Sequence, residues 1–276
     1  MAIKDLAVAY NGSPNASSAL KFALQMCTKY DAALTGLYAS APIKFEGNVQ
    51  RWISDDILKS LRNAEAETAR EIEQKFKEEA RALGFANGIE FISDEGVPNT
   101  VIARQARYHD ILLLGQFSDP NDARRNVRAE DLVLRAGRPL IIVPLKYEVV
   151  PFQEYAVLAW DGSRPASRAL SDAMQILETK KRIDVLTVSS DGGQSGGMRV
   201  AQVIKHLEHH GVDARHVDLK ASREGVGGTI LDYCGKQRPD VLVMGAYGQA
   251  KLREDLFGGT TRHILEHMNV PVLMAH

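Results

Sequence analysis

The sequence is short of several things, and each shortage rules out a class of protein. Cysteine occurs only at Cys27 and Cys234 in 276 residues. Both lie in amphipathic, helix-like stretches, so the expectation is two reduced core thiols in a cytoplasmic protein, not a disulfide framework or a cysteine-built metal centre. An excess of one charge is also missing. The 34 basic and 35 acidic residues leave a net charge of -1, with no electrostatic reason to expect nucleic acid as a partner. Apolar runs such as Asp110-Ile-Leu-Leu-Leu-Gly115 have strand length and are far too short to span a membrane. Met1-Ala-Ile-Lys-Asp5 leads directly into a strand, so no secretory leader is expected.

Several nucleotide and hydrolase signatures are absent as well. No Gly-x-x-x-x-Gly-Lys-Ser/Thr occurs, which argues against a P-loop NTPase. No Gly-x-Gly-x-x-Gly follows a first strand, and no Ser occupies a Gly-x-Ser-x-Gly elbow. His206 and His210, and likewise His263 and His267, stand four apart and can share a helix face, with His209 and His216 near the first pair. No Cys or acidic residue completes a ligand spacing, so these read as surface histidines.

What is present is repetition. Leu6-Ala-Val-Ala-Tyr10 then Asn11-Gly-Ser13 matches Tyr155-Ala-Val-Leu-Ala-Trp160 then Asp161-Gly-Ser163. Ser13 and Ser163 stand where a helix N-cap is wanted, with a proline in or near the first turn. Further on, Glu95-Gly-Val-Pro98 matches Glu224-Gly-Val-Gly227, and Asp110 to Gly115 matches Asp240 to Gly245. Pro139-Leu-Ile-Ile-Val143 and Pro271-Val-Leu-Met-Ala275 close the two halves. The shared order argues for duplication.

Each half alternates short apolar strands with longer amphipathic stretches, the pattern of βαβ units on a parallel sheet. Strands are expected near 4–10, 33–39, 88–93, 110–115 and 139–144, and again near 153–160, 183–189, 213–220, 239–245 and 270–275. Helices are expected near 164–179, 196–210, 226–237 and 260–268 in the second half. The first half is longer: Asn11 and Gly115 are 104 positions apart, against 84 for Asp161 and Gly245. The surplus reads as one helix over 54–83, covering the sheet with Ile57, Leu58, Leu61, Ile72, Phe76 and Leu83. A lid or docking role for it is the alternative.

The second half holds the most informative segment. After the apolar run Asp240 to Met244, Gly245-x2-Gly248-x9-Gly258 leads into Gly259-Thr260-Thr261 and a helix. Strand, glycine-spaced loop and helix N-terminus together make a phosphate cradle, because glycine admits close approach and the free N–H groups attract anions. With Asp161 after the first strand of the same half, this pattern resembles the universal stress protein family, and the resemblance covers essentially the whole chain as two tandem copies.

The resemblance implies two Rossmann-like α/β domains of the adenine nucleotide alpha hydrolase-like type, 1–148 and 149–276. Each would be a five-stranded, mainly parallel sheet flanked by helices, the pair related by a pseudo-twofold. It also implies an ATP site, with Mg²⁺, in each half that bears the motif. Asp161 would meet the ribose or adenine end and Val188 the adenine. Gly245, Tyr247 and Gly248 would form the first turn around sugar and phosphates. Gly258, Gly259, Thr260 and Thr261 would hold the phosphates. The family usually has Ser or Thr directly after its third glycine, where this chain has Gly259. Thr260 and Thr261 then supply the hydroxyl.

The first half departs further. Asn11 replaces the acidic residue, Gly115-Gln-Phe-Ser118 lacks the second glycine, and 119–128 holds none. That half is expected to bind no ATP and to serve as a structural partner, with Arg124, Arg125 and Arg128 forming a solvated basic turn. Near the glycine loop, Asp161, Lys251, Arg253, Glu254 and Asp255 are charged, but such loop residues are usually only solvated. No catalytic residue is assigned, and slow ATP hydrolysis is the most that is expected. Two function classes stay open: an ATP-binding stress-response regulator acting on a protein partner, and a nucleotide-independent scaffold. The closing strands at Val143 and Ala275 are expected sheet edges, which need a partner. They are satisfied either within one chain as a pseudo-dimer or between two chains as a homodimer.

Overall fold

The computed structural model describes residues 3–43, 54–85, 87–116, 124–189, 197–247 and 259–276. The first half runs β1 (Asp5–Ala9), α1 (Pro14–Tyr30), β2 (Ala33–Ser40), α2 (Asp55–Ala82), β3 (Ile89–Glu95), α3 (Pro98–Ala106), β4 (Ile111–Gly115), α4 (Ala129–Arg135) and β5 (Leu140–Val143). The second repeats the order with β6 (Tyr155–Ala159), α5 (Arg164–Leu177), β7 (Arg182–Ser189), α6 (Gly197–His209), β8 (Ala214–Lys220), α7 (Gly225–Gln237), β9 (Val241–Gly245), α8 (Gly259–His267) and β10 (Val272–Ala275).

Local chemistry makes the repeat. The Ser13 hydroxyl accepts from Ala16 N and that of Ser163 from Ala166 N, each with a proline in the first turn, so α1 and α5 start alike. Asp110 accepts from the amides of Lys4 and Asp5, and Asp240 from those of Gln153 and Tyr155. In both halves, therefore, a carboxylate just before the fourth strand ties down the start of the first.

The strands form one ten-stranded sheet in the order β3-β2-β1-β4-β5-β10-β9-β6-β7-β8. Every pairing is parallel except β5 with β10, where Val272, Leu273 and Met274 face Ile142, Ile141 and Leu140. The two closing strands thus cover one another's edges inside a single chain. Helices α1, α2, α5 and α6 cover one face and α3, α4, α7 and α8 the other. The outermost strands, β3 and β8, carry charges at alternate or near-alternate positions (Glu90, Asp94, Arg215, Asp218), which discourages further pairing. The connection 144–154 lies along α1: Ser18 donates to Leu145 O, Gln25 to Val150 O, and Phe152 packs edge-on against Phe22. Beneath it Lys180 and Asp240 form a 2.6 Å ion pair with side chains 2% and 5% exposed.

Both cysteines are buried and free, and burial pushes each thiol up to about 12. The long helix is as long as expected but covers less. Among its described residues Ile72, Phe76 and Ala80 are buried, whereas Ile57 and Leu83 are exposed. Its N-terminal half therefore extends beyond the packed face of the sheet.

Candidate functional site

In an open parallel sheet, ligands settle where the strand order reverses, at the carboxyl edge. In the second half the chain steps from β6 outward through β7 to β8, then returns to place β9 on the other side of β6. The crevice between β6 and β9 is therefore the switch point. Asp161 follows β6, Val188 stands near the end of β7, and Gly245 ends β9. Tyr247 comes two residues later, and Gly259, Thr260 and Thr261 begin α8. These residues, remote in sequence, are brought to one edge. Gly248, Gly258, Lys251, Arg253, Glu254 and Asp255 lie outside the described residues.

Each side chain has a local reason for its place. Asp161 is exposed, and its Oδ1 accepts from Ser163 N at 2.9 Å, closing the turn that leads into α5. Tyr247 adopts φ 62, a left-handed conformation that is uncommon outside glycine and is found at strained functional turns. Its amide donates to Thr261 Oγ1 at 3.3 Å, so the buried Thr261 hydroxyl fastens the turn to α8. Thr260, half-buried, is the better-placed hydroxyl for a ligand. Among the described residues, a Cβ added at Gly259 would meet nothing within 4 Å. Burial pushes the Tyr247 phenol up to about 12; Glu130 and Asp131 of the first half add to this and Arg128 opposes it.

Gly245 has a role that sequence spacing does not reveal. A Cβ there would fall inside the contact distance of Ala166 N and Pro165 C, so glycine lets β9 pass the first turn of α5. A Cβ at Gly115 would strike Asn15 in the same way. This glycine is thus a packing requirement shared by both halves and does not by itself mark a phosphate site.

The first half has its own switch point between β1 and β4. A cleft opens there, lined among others by Tyr10, Asn11, Ser13, Asn15, Tyr38 and Arg125. Its rim is built differently from a glycine loop. Arg124 donates through Nε and Nη2 to Ala41 O and through Nη1 to Glu65 of α2 at 2.8 Å, while Arg125 approaches Glu65 at 3.7 Å. Ala41 N donates to Arg124 O, and Asn11 Nδ2 to Arg125 O. The expected solvated turn is instead a latch, because α2 is long enough to bring Glu65 over the carboxyl edge. Asn11 fits this arrangement, since an aspartate has no N–H to offer the Arg125 carbonyl. Its Oδ1 still accepts from Ser13 N, as Asp161 does from Ser163 N.

A partly exposed pair of this kind holds about 1 kcal/mol. Replacing Glu65 with alanine should therefore speed amide exchange in the first three turns of α2 roughly fivefold while leaving α1 unaffected. Exchange that stays at the wild-type rate would show that the latch does not hold the helix.

The histidine pairs are close in space, with ring centroids 4.9 Å apart for His206 and His210 and 4.5 Å for His263 and His267. His210 Nδ1 lies 2.8 Å from Glu178 at the end of α5, and His267 Nδ1 lies 3.0 Å from the His263 carbonyl.

Comparison with known proteins gives a consistent result. Residues 156–276 match the universal stress protein family. A universal stress protein of the cyanobacterium Synechocystis, Slr1230, is 20% identical, with 98% of this chain and 99% of that one aligned. Among solved structures, a universal stress protein from Archaeoglobus fulgidus superposes with a TM-score of 0.70 at 17% identity, covering 98% of this chain and 96% of its own. A putative universal stress protein from Pseudomonas aeruginosa gives 0.55 at 16% identity, covering 99% and 93%. At such identities the structural likeness speaks for the fold.

Proposed function

We propose, from the match of residues 156–276 to the universal stress protein family, that the protein is a member of it, binds one ATP per chain in that half, and acts as a stress-response regulator. The observation carrying this reading is the convergence at the β6–β9 switch point of Asp161, Val188, the left-handed Tyr247 and the start of α8. The backbone N–H groups of Gly259, Thr260 and Thr261 offer an anion the positive end of a helix. The Thr260 hydroxyl is an oxygen suited to Mg²⁺, which would neutralise phosphate charge there. Asp161 and Val188 address the ribose and adenine end.

The first half binds no ATP: its loop from 119 to 128 lacks glycine and its rim is occupied by Arg124 and Glu65. No catalytic residue is assigned at the second site, and the bound nucleotide sets a conformation that a protein partner reads, in the cytoplasm. Among the described residues no helix is long and apolar enough to cross a membrane.

Calorimetry with MgATP, alongside mass spectrometry of nucleotide released from freshly purified protein, tests the reading. One equivalent of ATP per chain is expected. A protein that carries no nucleotide and takes up none would be the nucleotide-independent scaffold instead.

A further inference from the structure

We propose that Gln116, a residue of the half without the glycine loop, positions the phosphate-binding helix of the other half; this rests on the ATP reading above. Gln116 is the first residue past β4, and its amide donates to Val143 O at 2.9 Å, which fixes its backbone to β5. Both ends of its side chain are engaged. Nε2 donates to Leu265 O at 2.9 Å and to Glu266 O at 3.2 Å, and Oε1 accepts from Leu145 N at 3.3 Å. The last carbonyls of a helix have no partner within it. For α8 the missing donor comes from the opposite half, across the β5–β10 seam.

Helix α8 spans only Gly259–His267, about 13 Å at 1.5 Å per residue, so it moves as a rod. Its start is the proposed phosphate cradle and its end is held by Gln116. Within its own half it is tied by Tyr247 N to Thr261 Oγ1 and by the His263 ring against Gly227 of α7, where a Cβ would come within 3.1 Å of the ring, and Arg262 interacts electrostatically with Glu130 of the first half. Among the described residues, the hydrogen bonds from the first half to the far end of the rod come from Gln116. The matching residue in the second half is Ala246, whose amide makes the equivalent bond to Ala275 O but whose buried methyl has no hydrogen bond to give. The coupling therefore runs one way, from the half that lost its glycines to the half that kept them.

The test compares MgATP with adenosine, which lacks the phosphates, by calorimetry on the full chain. Gln116→Leu keeps the size and removes both donated bonds. It is expected to raise the ATP Kd about five- to tenfold, in line with two hydrogen bonds of modest net strength, and to leave the adenosine Kd unchanged. Gln116→Lys, which restores a donor to the two carbonyls, should bring the ATP Kd back to within about twofold of wild type. A purely structural role would weaken both ligands alike and would not respond to the restored donor. If Gln116→Leu folds poorly, Gln116→Glu serves in its place: it keeps the backbone bond to β5 but has no N–H to give. Equal loss for ATP and adenosine, or no loss for either, overturns the positioning role. A wild-type protein that binds no ATP overturns the underlying reading, and this inference with it.

Discussion

Replacing Asp184 with alanine should cost about 3 kcal/mol of stability and lower the melting midpoint by roughly 6–12 °C. Asp184 is fully buried in β7. Its carboxylate accepts from Arg215 at 2.6 and 3.1 Å, from Arg182 at 3.1 and 2.6 Å, from Tyr155 at 2.6 Å and from Tyr233 at 2.5 Å. One side chain thus joins β6, β7, β8 and α7. Removing it orphans two hydroxyls and leaves two guanidiniums facing each other. Those arginines are 38% and 56% exposed, so water takes up part of the charge and the cost falls at the low end of what breaking a buried pair entails.

The same site shapes the acid limb. Burial pushes the Asp184 carboxyl upward, but the bonds from Arg215, Arg182, Tyr155 and Tyr233 outweigh it and hold the group well below the usual carboxylate range. A carboxyl depressed by folding stabilises fully above its unfolded value of about 4, and that contribution drains away as pH falls below it toward the folded value. Asp184→Asn should therefore start less stable at pH 7 and lose less between pH 4 and pH 2. Urea melts at several pH values decide this, and parallel acid limbs for the two proteins would refute it.

How legible these features were in the sequence depends on how far apart the interacting groups lie. The element order was legible because its causes are local. Apolar runs of strand length, N-cap serines at 13 and 163 and the matching landmarks of the two halves all sit within a few residues of what they specify. The sheet junction was half legible: Val143 and Ala275 read as edges needing partners, but only the fold shows that they take each other. The long helix had the right limits, yet the role of its first half depends on Arg124 meeting Glu65 across 59 positions. Gln116 reaches α8 across 149 positions, and no periodicity carries such a pairing. Gly245 shows the opposite failure, a residue whose spacing suggested one cause and whose surroundings supply another. Asp184 did leave a signal, a charge inside the otherwise apolar run of Ile183 to Leu186.

Gly248→Val should reduce ATP affinity more than a hundredfold, on the order of 3 kcal/mol, while the fold melts within a few degrees of wild type. Gly248 follows Tyr247, whose left-handed backbone already turns the chain sharply at the end of β9. In the proposed cradle, a β-branched residue next in line adds bulk where glycine would admit close approach to phosphate. Asn11→Ala is the counterpart in the first half. It removes bonds to Ser13 N and the Arg125 carbonyl, neither of which touches the second switch point, so ATP affinity should not change. The paired outcome matters because the two halves share a fold, an N-cap and the packing glycine at 115 and 245. What separates them is the glycine loop on one side and the Arg124–Glu65 latch on the other. Loss of binding in the Asn11 variant with retention in the Gly248 variant would move the nucleotide to the first half. Calorimetry on both variants and the wild type, with stoichiometry fixed at one site per chain, makes that decision.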